Sequence, residues 1–376
     1  MLEPIMVGCD LHDATMLLKI ARGRGSSETL SVRNTRPGRA RLVELLRERS
    51  AAAGGAEVVF AYEASGQGFG LYDELSDAGF TCHVLAPTKI ARSSQQERRK
   101  TDEKDAEQLL QLLRAHVLAG NPLPTVWIPD PQTRDDREAV RARLDAAHKV
   151  TALKSQIRTL LKRNRLARPE EVSQGWTIAF RLWLEALTRS AEQGPGMRAA
   201  LASLLRQLKS LEAEIDQLDR ELVRLAESPR YRAAARALSQ LDGVGLLTAL
   251  VFLTEIGDVR RFANRRQISA YLGLVPRSFE SGQRQDCKGH ITRQGPARVR
   301  RVLCQATWAR VRKPGENRDA YQRLVAKNPN KKKIAVVAAM RRLAVRMWHG
   351  ARDAAPGAVT LAPPSRDRTP PECRAG

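Results

Sequence analysis

A regular leucine spacing between residues 201 and 225 is the feature that most constrains what this chain can fold into. Apolar residues recur there alternately three and four positions apart, at Leu201, Leu204, Leu208, Leu211, Ile215, Leu218, Leu222 and Leu225. This heptad pattern predicts one amphipathic helix, roughly 40 Å long at about 1.5 Å per residue. We expect it to form a coiled-coil arm that folds back on another helix of the chain, pairs with a second protomer, or does both.

The arm separates regions of different composition. A second long helix is predicted at 133–164, so the helical arm covers residues 126–230. Residues 1–125 alternate short apolar runs with helical patterns, residues 231–350 are mainly helical, and residues 351–376 are rich in Pro, Ala and Arg without a period. We therefore predict an α/β domain, the arm, a mainly α C-terminal domain and a disordered tail.

Three apolar runs in succession, followed by strands that alternate with helices, predict a mixed sheet flanked by helices in the first domain. The strands are predicted at 5–10, 14–21, 29–33, 57–62 and 81–86, and the helices at 39–52, 66–78 and 101–116. Two acids stand at strand ends, since Asp10 closes the first strand and Glu63 follows the fourth. Acids at the ends of apolar segments are costly beside a core unless they have a partner.

Two aspartates, Asp102 and Asp105, lie at the start of the last predicted helix. If Thr101 caps that helix, both carboxylates lie on one face of its first turn and can converge with Asp10 and Glu63. Carboxylates this close repel each other, and hard oxygen ligands suit Mg²⁺ or Mn²⁺, so a two-metal site for phosphodiester chemistry is one interpretation. The alternative is that acids suit the positive end of a helix, that Asp10 begins a turn and that Glu63 caps a helix.

The charge balance favours a polyanionic partner. The chain has 64 Lys and Arg residues against 41 Asp and Glu, a formal net charge of +23, so nucleic acid is the expected partner. No apolar run approaches the roughly 20 residues of a membrane span, and Met1 to Ala21 has no signal-peptide layout. We expect a cytoplasmic protein that acts at the nucleoid and has no membrane partner.

Basic residues that can contact phosphates are concentrated in two segments. The segment before the aspartate helix contains Lys89, Arg92, Arg98, Arg99 and Lys100, and the C-terminal segment contains Arg284, Lys288, Arg293, Arg298, Arg300 and Arg301. Gly243 and Gly245 lie between two predicted helices in a pattern similar to a helix-hairpin-helix motif. Their backbone N–H groups can approach a phosphate, although a tight turn between helices explains the same glycines.

Ser281 stands between an apolar region and the arginine-rich segment. A serine in this position can act as a nucleophile toward a phosphodiester that arginines hold. The alternative is an ordinary Ser-Gly turn formed with Gly282. His290 lies too far away to suggest a conventional general base, and we interpret it as a polar loop residue.

These patterns resemble a known family. Residues 7–10, 61–66 and 100–106, which contain Asp10, Glu63, Asp102 and Asp105, resemble the D-E-D-D signature of the RuvC-like transposases of bacterial insertion sequences, a group that includes Piv-type DNA invertases. The segments 241–248, 270–276, 280–282 and 291–295 resemble the second characteristic region of that family. The first segment departs from the family pattern in Cys9, where an aliphatic residue is usual, and in Asp13, where lysine often follows.

The resemblance implies a RuvC-like RNase H fold, a coiled-coil arm and a C-terminal transposase domain. It assigns metal-bound carboxylates to Asp10, Glu63, Asp102 and Asp105 and a nucleophilic serine to Ser281, with Mg²⁺ or Mn²⁺ as the cofactor. It also implies a DNA recombinase guided by a bridge RNA, which acts on double-stranded donor and target DNA through a phosphoserine intermediate. Self-association as a dimer or tetramer through the coiled coil is expected.

Two alternatives remain at the level of the sequence. A metal-dependent junction nuclease would use the same four acids with water as the nucleophile. A non-catalytic scaffold would bind nucleic acid through the basic surface alone. The sequence does not specify the DNA sites, the guide RNA, the oligomer number or the order of strand cleavage.

Overall fold

The computed structural model describes residues 2–90, 101–173, 175–278, 288–327 and 329–354. The chain divides into two compact units, one extending to Ile128 and the other beginning at Pro129. The predicted tail lies outside the described residues from 355 onward, and the last described helix continues to Asp353, beyond the predicted end of the C-terminal domain at 350. The finer division of the second unit into an arm and a C-terminal domain stays a prediction.

The first unit is the predicted mixed α/β domain. Its elements are β1 (Ile5–Leu11), β2 (Thr15–Arg22), β3 (Glu28–Arg33), α1 (Arg36–Ala52), β4 (Val58–Glu63), α2 (Gly70–Asp77), β5 (Thr81–Leu85) and α3 (Asp102–Ala119). The strand order is β3-β2-β1-β4-β5, with β1, β2 and β3 antiparallel and β1, β4 and β5 parallel. This arrangement is consistent with the RNase H-like fold that the resemblance implied.

The central strands are apolar on both faces because helices cover both sides of the sheet. On β1, Ile5, Val7 and Cys9 pack with residues of α1 and α2. Met6 packs on the opposite face, with Val59 and Ala61 of β4 and with three leucines of α3, Leu109, Leu110 and Leu113. Side chains alternate along a strand, so Asp10 and Glu63 belong to the face that α3 covers.

Helix α3 approaches β1 closely, and a glycine makes this approach possible. A Cβ atom on Gly8 would lie 2.4 Å from the carbonyl oxygen of Ala106 and 2.4 Å from the amide nitrogen of Leu110. Any side chain at this position would therefore push the helix away from the sheet. Gly8 sets the distance between the strand that ends at Asp10 and the helix that begins at Asp102.

The second unit is mostly helical. Its elements are α4 (Pro131–Arg163), α5 (Ile178–Arg189), α6 (Pro195–Glu227), α7 (Arg232–Ser239), α8 (Leu246–Ile256), α9 (Arg265–Tyr271), β6 (Pro276–Ser278), β7 (Lys288–Ile291), α10 (Ala297–Arg312), α11 (Glu316–Lys327) and α12 (Lys332–Asp353). Strands β6 and β7 form an antiparallel pair. None of the helices among the described residues is long and apolar enough to cross a bilayer.

The two long helices, α4 and α6, fold back on each other within the chain. Arg143 of α4 donates to Asp219 of α6 at 2.7 Å, and Lys154 lies 3.6 Å from Glu212. A later residue of α4 thus pairs with an earlier residue of α6, so the two helices are antiparallel. Of the arrangements that the leucine spacing left open, the structure contains the intrachain one. A regular coiled coil, and pairing with a second protomer, stay predictions.

One hydrophobic core joins one end of the α4–α6 pair to the C-terminal helices. Val140 and Leu144 of α4 and Leu222 of α6 belong to the same buried cluster as Phe252 of α8 and Trp348 of α12. Separate apolar contacts near the far end of the arm involve α5, α4 and α6. Helices α4 and α6 therefore share a core with the C-terminal helices, and Ile291 of β7 packs against this core.

Replacing Gly8 with alanine is expected to destabilise the first unit by about 1–3 kcal/mol, because the added Cβ meets helix backbone that cannot move independently. This corresponds to a melting temperature lower by roughly 3–10 °C. The control is Gly70→Ala, since a Cβ on Gly70 meets no atom within 4 Å. Equal thermal unfolding of Gly8→Ala and wild type would contradict the close approach of α3.

Candidate metal centre and nucleic-acid contacts

The start of α3 is built to hold acids. The Thr101 side chain caps the helix by accepting a hydrogen bond from the Lys104 amide, as the sequence predicted. Asp102, Glu103 and Asp105 all lie in the first turn, where the positive end of the helix stabilises negative charge. Helix electrostatics alone explain why acids are tolerated here. They do not explain why Lys19, Asp10 and His12 lie opposite these acids.

A buried lysine anchors this first turn to the sheet. Lys19 of β2 is 9% exposed, and its Nζ donates to Glu103 Oε1 at 2.6 Å and to Thr29 Oγ1 at 2.7 Å. The hydrogen bond from Lys19 lowers the pKa of Glu103. Glu103 is thereby engaged in holding α3 to β2, and its neighbour Asp102 can face the end of β1.

Three side chains meet where β1 ends and α3 begins. His12 Nε2 lies 3.0 Å from Asp10 Oδ2 and 3.5 Å from Asp102 Oδ1. One ligand atom from each of these residues lies within 4.8 Å of the others. Burial raises the pKa of Asp10, and the nearby charges of Asp105 and Asp102 raise it further, whereas His12 lowers it. The carboxylates are thus close enough to influence one another.

The sequence analysis did not single out His12, which follows Asp10 in the chain. The relevant signal is its spacing, because residues two apart on an extended segment project to the same side. His12 is held in place through its backbone, where its N–H donates to the Thr15 carbonyl and its carbonyl accepts from the Asn34 side chain. The ring is therefore a further member of the group predicted from the acids.

The four predicted acids lie at different distances from the cluster formed by Asp10, His12 and Asp102. Asp10 and Asp102 belong to the three-residue cluster, and Asp105 is near enough for its charge to act on Asp10. Glu63 ends β4 beside β1, one position beyond the paired residues Cys9 and Tyr62. It belongs to the sheet face covered by α3 but lies outside the three-residue cluster. The metal roles of all four stay predictions.

The donor set fits a divalent cation. Carboxylate oxygens are the ligands of Mg²⁺ and Mn²⁺, and the imidazole of His12 can serve Mn²⁺ as well. A cation between Asp10 and Asp102 would relieve the repulsion between two carboxylates at a partly buried strand end. These residues are therefore able to hold a metal ion, although nothing in their arrangement selects one metal.

Several residues predicted to act on nucleic acid lie outside the described residues. They are Arg92, Arg98, Arg99, Lys100, Ser281 and Arg284. Lys89 is exposed just after β5, and Lys288 is the first residue of β7. Their phosphate contacts, and the nucleophilic role of Ser281, stay predictions.

The arginines of α10 have contacts within the protein. Arg300 donates to the backbone carbonyls of Leu272, Gln294 and Gly295 at 3.0–3.2 Å. Arg298 lies 3.6 Å from Asp145 of α4, and the Arg301 guanidinium contacts the His148 ring. Arg300 thus fastens loops around β6 and β7, and phosphate contact by these three residues stays a prediction.

The glycines between α7 and α8 differ from each other. Gly243 has a positive φ of 75°, and a Cβ there would lie 2.5 Å from the Ala306 carbonyl oxygen of α10. Gly245 is the residue before α8, and a Cβ there would meet no atom within 4 Å. Close packing against α10 therefore requires a glycine at position 243, and the phosphate contact predicted for Gly243 stays a prediction. The backbone at Gly245 stands at a helix N-terminus, where the predicted phosphate contact remains to be tested.

Two further glycines allow close backbone contact between the loop that leads into β6 and the loop that follows β7. Gly273 has a φ of 64°, and a Cβ there would lie 2.2 Å from the Gln294 carbonyl oxygen. A Cβ on Gly295 would lie 1.8 Å from the Tyr271 carbonyl oxygen. Only glycine fits at either position, so this contact fixes the base of the β6–β7 pair.

A mixed sheet with carboxylates gathered at a strand end and at the start of α3 is the arrangement of a DEDD-type RNase H-like enzyme. A model of IS110-type DEDD transposases matches residues 7–164, and one described as the transposase IS116/IS110/IS902 family matches residues 235–322. A probable family 20 transposase of Pseudomonas aeruginosa is 30% identical over 267 residues, covering 70% of this chain and 74% of that protein. The chain belongs to the IS116/IS110/IS902 family of transposases, which cut and rejoin DNA.

Other relatives have the same class of name. The putative transposase y4qE of Sinorhizobium fredii is 34% identical over 253 residues, covering 67% of this chain and 58% of that protein. The transposase for insertion sequence element IS1533 of Leptospira borgpetersenii is 26% identical and covers 82% of this chain and 86% of the relative. The chain thus spans little more than half of the first of these proteins and most of the second.

Manganese is expected to raise the melting temperature of the wild-type chain, because an ion at 100 times its Kd stabilises a folded protein by about 2.7 kcal/mol. Asp102→Asn and His12→Ala are each expected to remove most of this increase. Asp77→Asn, a change at an exposed acid of α2, should leave it intact. The measurement is thermal unfolding with and without Mn²⁺, and an undiminished increase in both site variants would exclude this cluster.

Asp10→Asn is expected to raise the stability of the metal-free chain at neutral pH. Burial raises the pKa of Asp10, so its ionised form is disfavoured in the folded state. This penalty is present above the folded pKa and disappears as the pH falls below the unfolded pKa. The stability advantage of Asp10→Asn in EDTA should therefore shrink as the pH is lowered from 7 to 4, and an advantage that grows would contradict the shift.

Proposed function

We propose that this transposase cuts and rejoins DNA with two chemical groups, a metal-bound carboxylate site in the first unit and the Ser281 hydroxyl in the second. The observation that carries the proposal is the convergence of Asp10, Asp102 and His12 at the end of β1, beside Asp105. The proposed metal ligands are Asp10, Glu63, Asp102 and Asp105, and His12 is a further candidate. A site divided in this way is composite and is formed within one chain or between protomers.

In the proposed reaction, Ser281 Oγ attacks a DNA phosphorus and forms a phosphoserine ester. One P–O bond forms as one P–O bond to deoxyribose breaks, and the serine proton ends on the released hydroxyl. The number of phosphodiester bonds is conserved, so rejoining needs no ATP. A bound Mg²⁺ or Mn²⁺ supplies charge stabilisation for the attacking and leaving oxygens. The carboxylates hold that charge in place beside the DNA.

The proposed partners are double-stranded donor and target DNA and a structured bridge RNA. The net charge of +23 supports a polyanionic partner of either kind. Pairing between a guide RNA and DNA would specify the sites without base-reading side chains. Self-association as a dimer or tetramer through α4 and α6 is part of the proposal, because a composite site requires protomers or units to be brought together.

Ser281→Ala is expected to abolish the covalent protein–DNA adduct and to reduce recombination by at least about 10³-fold, because no other group would replace the nucleophile. The measurement is denaturing electrophoresis of radiolabelled DNA after reaction with Mg²⁺. Ser278→Ala, a change three residues away, is the control and should retain the adduct.

The two alternatives give different outcomes in the same experiment. Full cleavage by Ser281→Ala without an adduct would support the water-dependent nuclease, which uses the same acids. Unchanged recombination in cells by Asp102→Asn combined with Asp105→Asn would support the non-catalytic scaffold. Loss of recombination with retained DNA binding in that double variant is the result that the proposal requires.

A further inference from the structure

A large groove crosses the second unit on the side of β6 and β7. It has a volume of about 1870 Å³, and its walls come from α9, the β6–β7 pair and residues 332–346 of α12. Small-molecule sites usually enclose roughly 300–1,000 Å³, so this groove suits part of a larger molecule. The described residues that line it all belong to the second unit, so we treat the groove as a feature of that unit by itself.

The groove is strongly basic. Among the described residues that line it, nine are arginine or lysine and none is acidic. The basic residues come from α9, from α12, from the turn before α12 and from the segment after β7, and they include Arg265, Arg266, Arg293, Lys333, Arg341 and Arg342. Salt bridges recorded among the described residues involve only Arg346 of this set, at 4.0 Å from Glu316. Eight cations thus face the groove without a carboxylate partner in the described part of the chain.

The groove also has an apolar floor. Ile334, Val337 and Val345 lie on one face of α12, and Leu274 and Ile291 also line the groove. Ile334 is 58% exposed, so most of its side chain is accessible to an occupant of the groove. The face of α12 that lines the groove therefore alternates apolar and basic residues along the helix axis, since residues three and four apart share a face.

The geometry points to an unpaired nucleic-acid strand as the occupant of this groove. Its phosphates would contact the basic rim, and its base faces would lie on the aliphatic floor. A duplex keeps its bases stacked inside and presents its phosphates outward, so it has no use for an apolar floor.

This inference rests on the proposed function in one respect, because it takes nucleic acid as the substrate and guide of the protein. It adds a binding site that the sequence analysis did not contain, apart from Arg293. Both DNA cleavage and guide pairing expose unpaired strands, so an occupant of this chemistry arises in the proposed reaction. The groove residues bind and position such a strand and have no part in bond breaking.

The first test removes two cations from the groove. Arg341→Ala with Arg342→Ala is compared with Arg206→Ala with Lys209→Ala, which removes the same charge from exposed positions of α6. The full chain is titrated with a labelled 20-nucleotide mixed-sequence single strand in EDTA at several salt concentrations. The groove variant should bind about tenfold more weakly, and its salt slope should fall by about 1.4, since each lost phosphate contact removes about 0.7. The control variant should match wild type.

The second test addresses the apolar floor. Ile334→Ser should weaken binding of the single strand about fivefold without changing the salt slope, because it removes apolar contact and no charge. Ile178→Ser is the matched control, since Ile178 is 78% exposed on α5, far along the chain from the groove. Both isoleucines are exposed, so neither change removes a buried side chain, and circular dichroism verifies that both variants are folded.

Three results would overturn the inference. The first is that the groove variant and the control variant lower the salt slope equally. The second is that Ile334→Ser weakens duplex binding as much as single-strand binding. The third is that the groove variants change the oligomeric state and leave binding unchanged, which would assign the groove to a second copy of the chain. Binding is measured in EDTA, so it is independent of cleavage. If wild-type protein forms no adduct through Ser281 but the groove variants bind the single strand more weakly, only the proposed function is wrong. If the adduct forms and the groove variants bind the single strand as tightly as wild type, only the groove inference is wrong.

Discussion

The contact between Gly8 and the backbone of α3 is the constraint on which the candidate site depends. A strand and a helix can approach this closely only where one of them lacks a side chain, and Gly8 lies two residues before Asp10 on the face that the helix covers. The same contact that packs Leu109 and Leu110 against the sheet brings the first turn of α3 to the end of β1. Lys19 then fixes the rotation of that turn through Glu103. Packing and charge placement are therefore parts of one arrangement.

Much of the first unit could be predicted from the sequence because its signals are local. The apolar runs of β1 and β4 are buried on both faces, and their length and order are enough to predict a mixed sheet. The face shared by Asp10 and Glu63 follows from the two-residue period of strands. The cap at Thr101 follows from residue type and position. The distances that bring Asp10 and Asp102 together do not follow from any local pattern, since residues about 90 positions apart determine them.

The second unit shows what sequence patterns leave undetermined. A count of charges predicts phosphate contacts for Arg298, Arg300 and Arg301. It does not reveal that Arg300 donates to three backbone carbonyls. The leucine spacing predicted a long helix and left its partner open, because the same apolar stripe packs equally well within a chain or between chains. No sequence pattern predicts the basic groove, because its cations come from segments that are separated in the sequence and meet only after folding. His12 cannot be predicted as a site residue from a pattern, because it is a single histidine beside a turn.

The single core shared by α4, α6 and the C-terminal helices has a geometric consequence. From Leu144, the last residue of α4 in that core, to the end of the helix at Arg163 is roughly 28 Å at about 1.5 Å per residue. Because α6 runs back along α4 and ends in the same core, neither helix can swing without disturbing buried side chains such as Leu222. The α4–α6 pair therefore keeps the residues at its far end at a set distance from the β6–β7 pair. Shortening both helices by matching turns would change that distance in steps of about 5.4 Å.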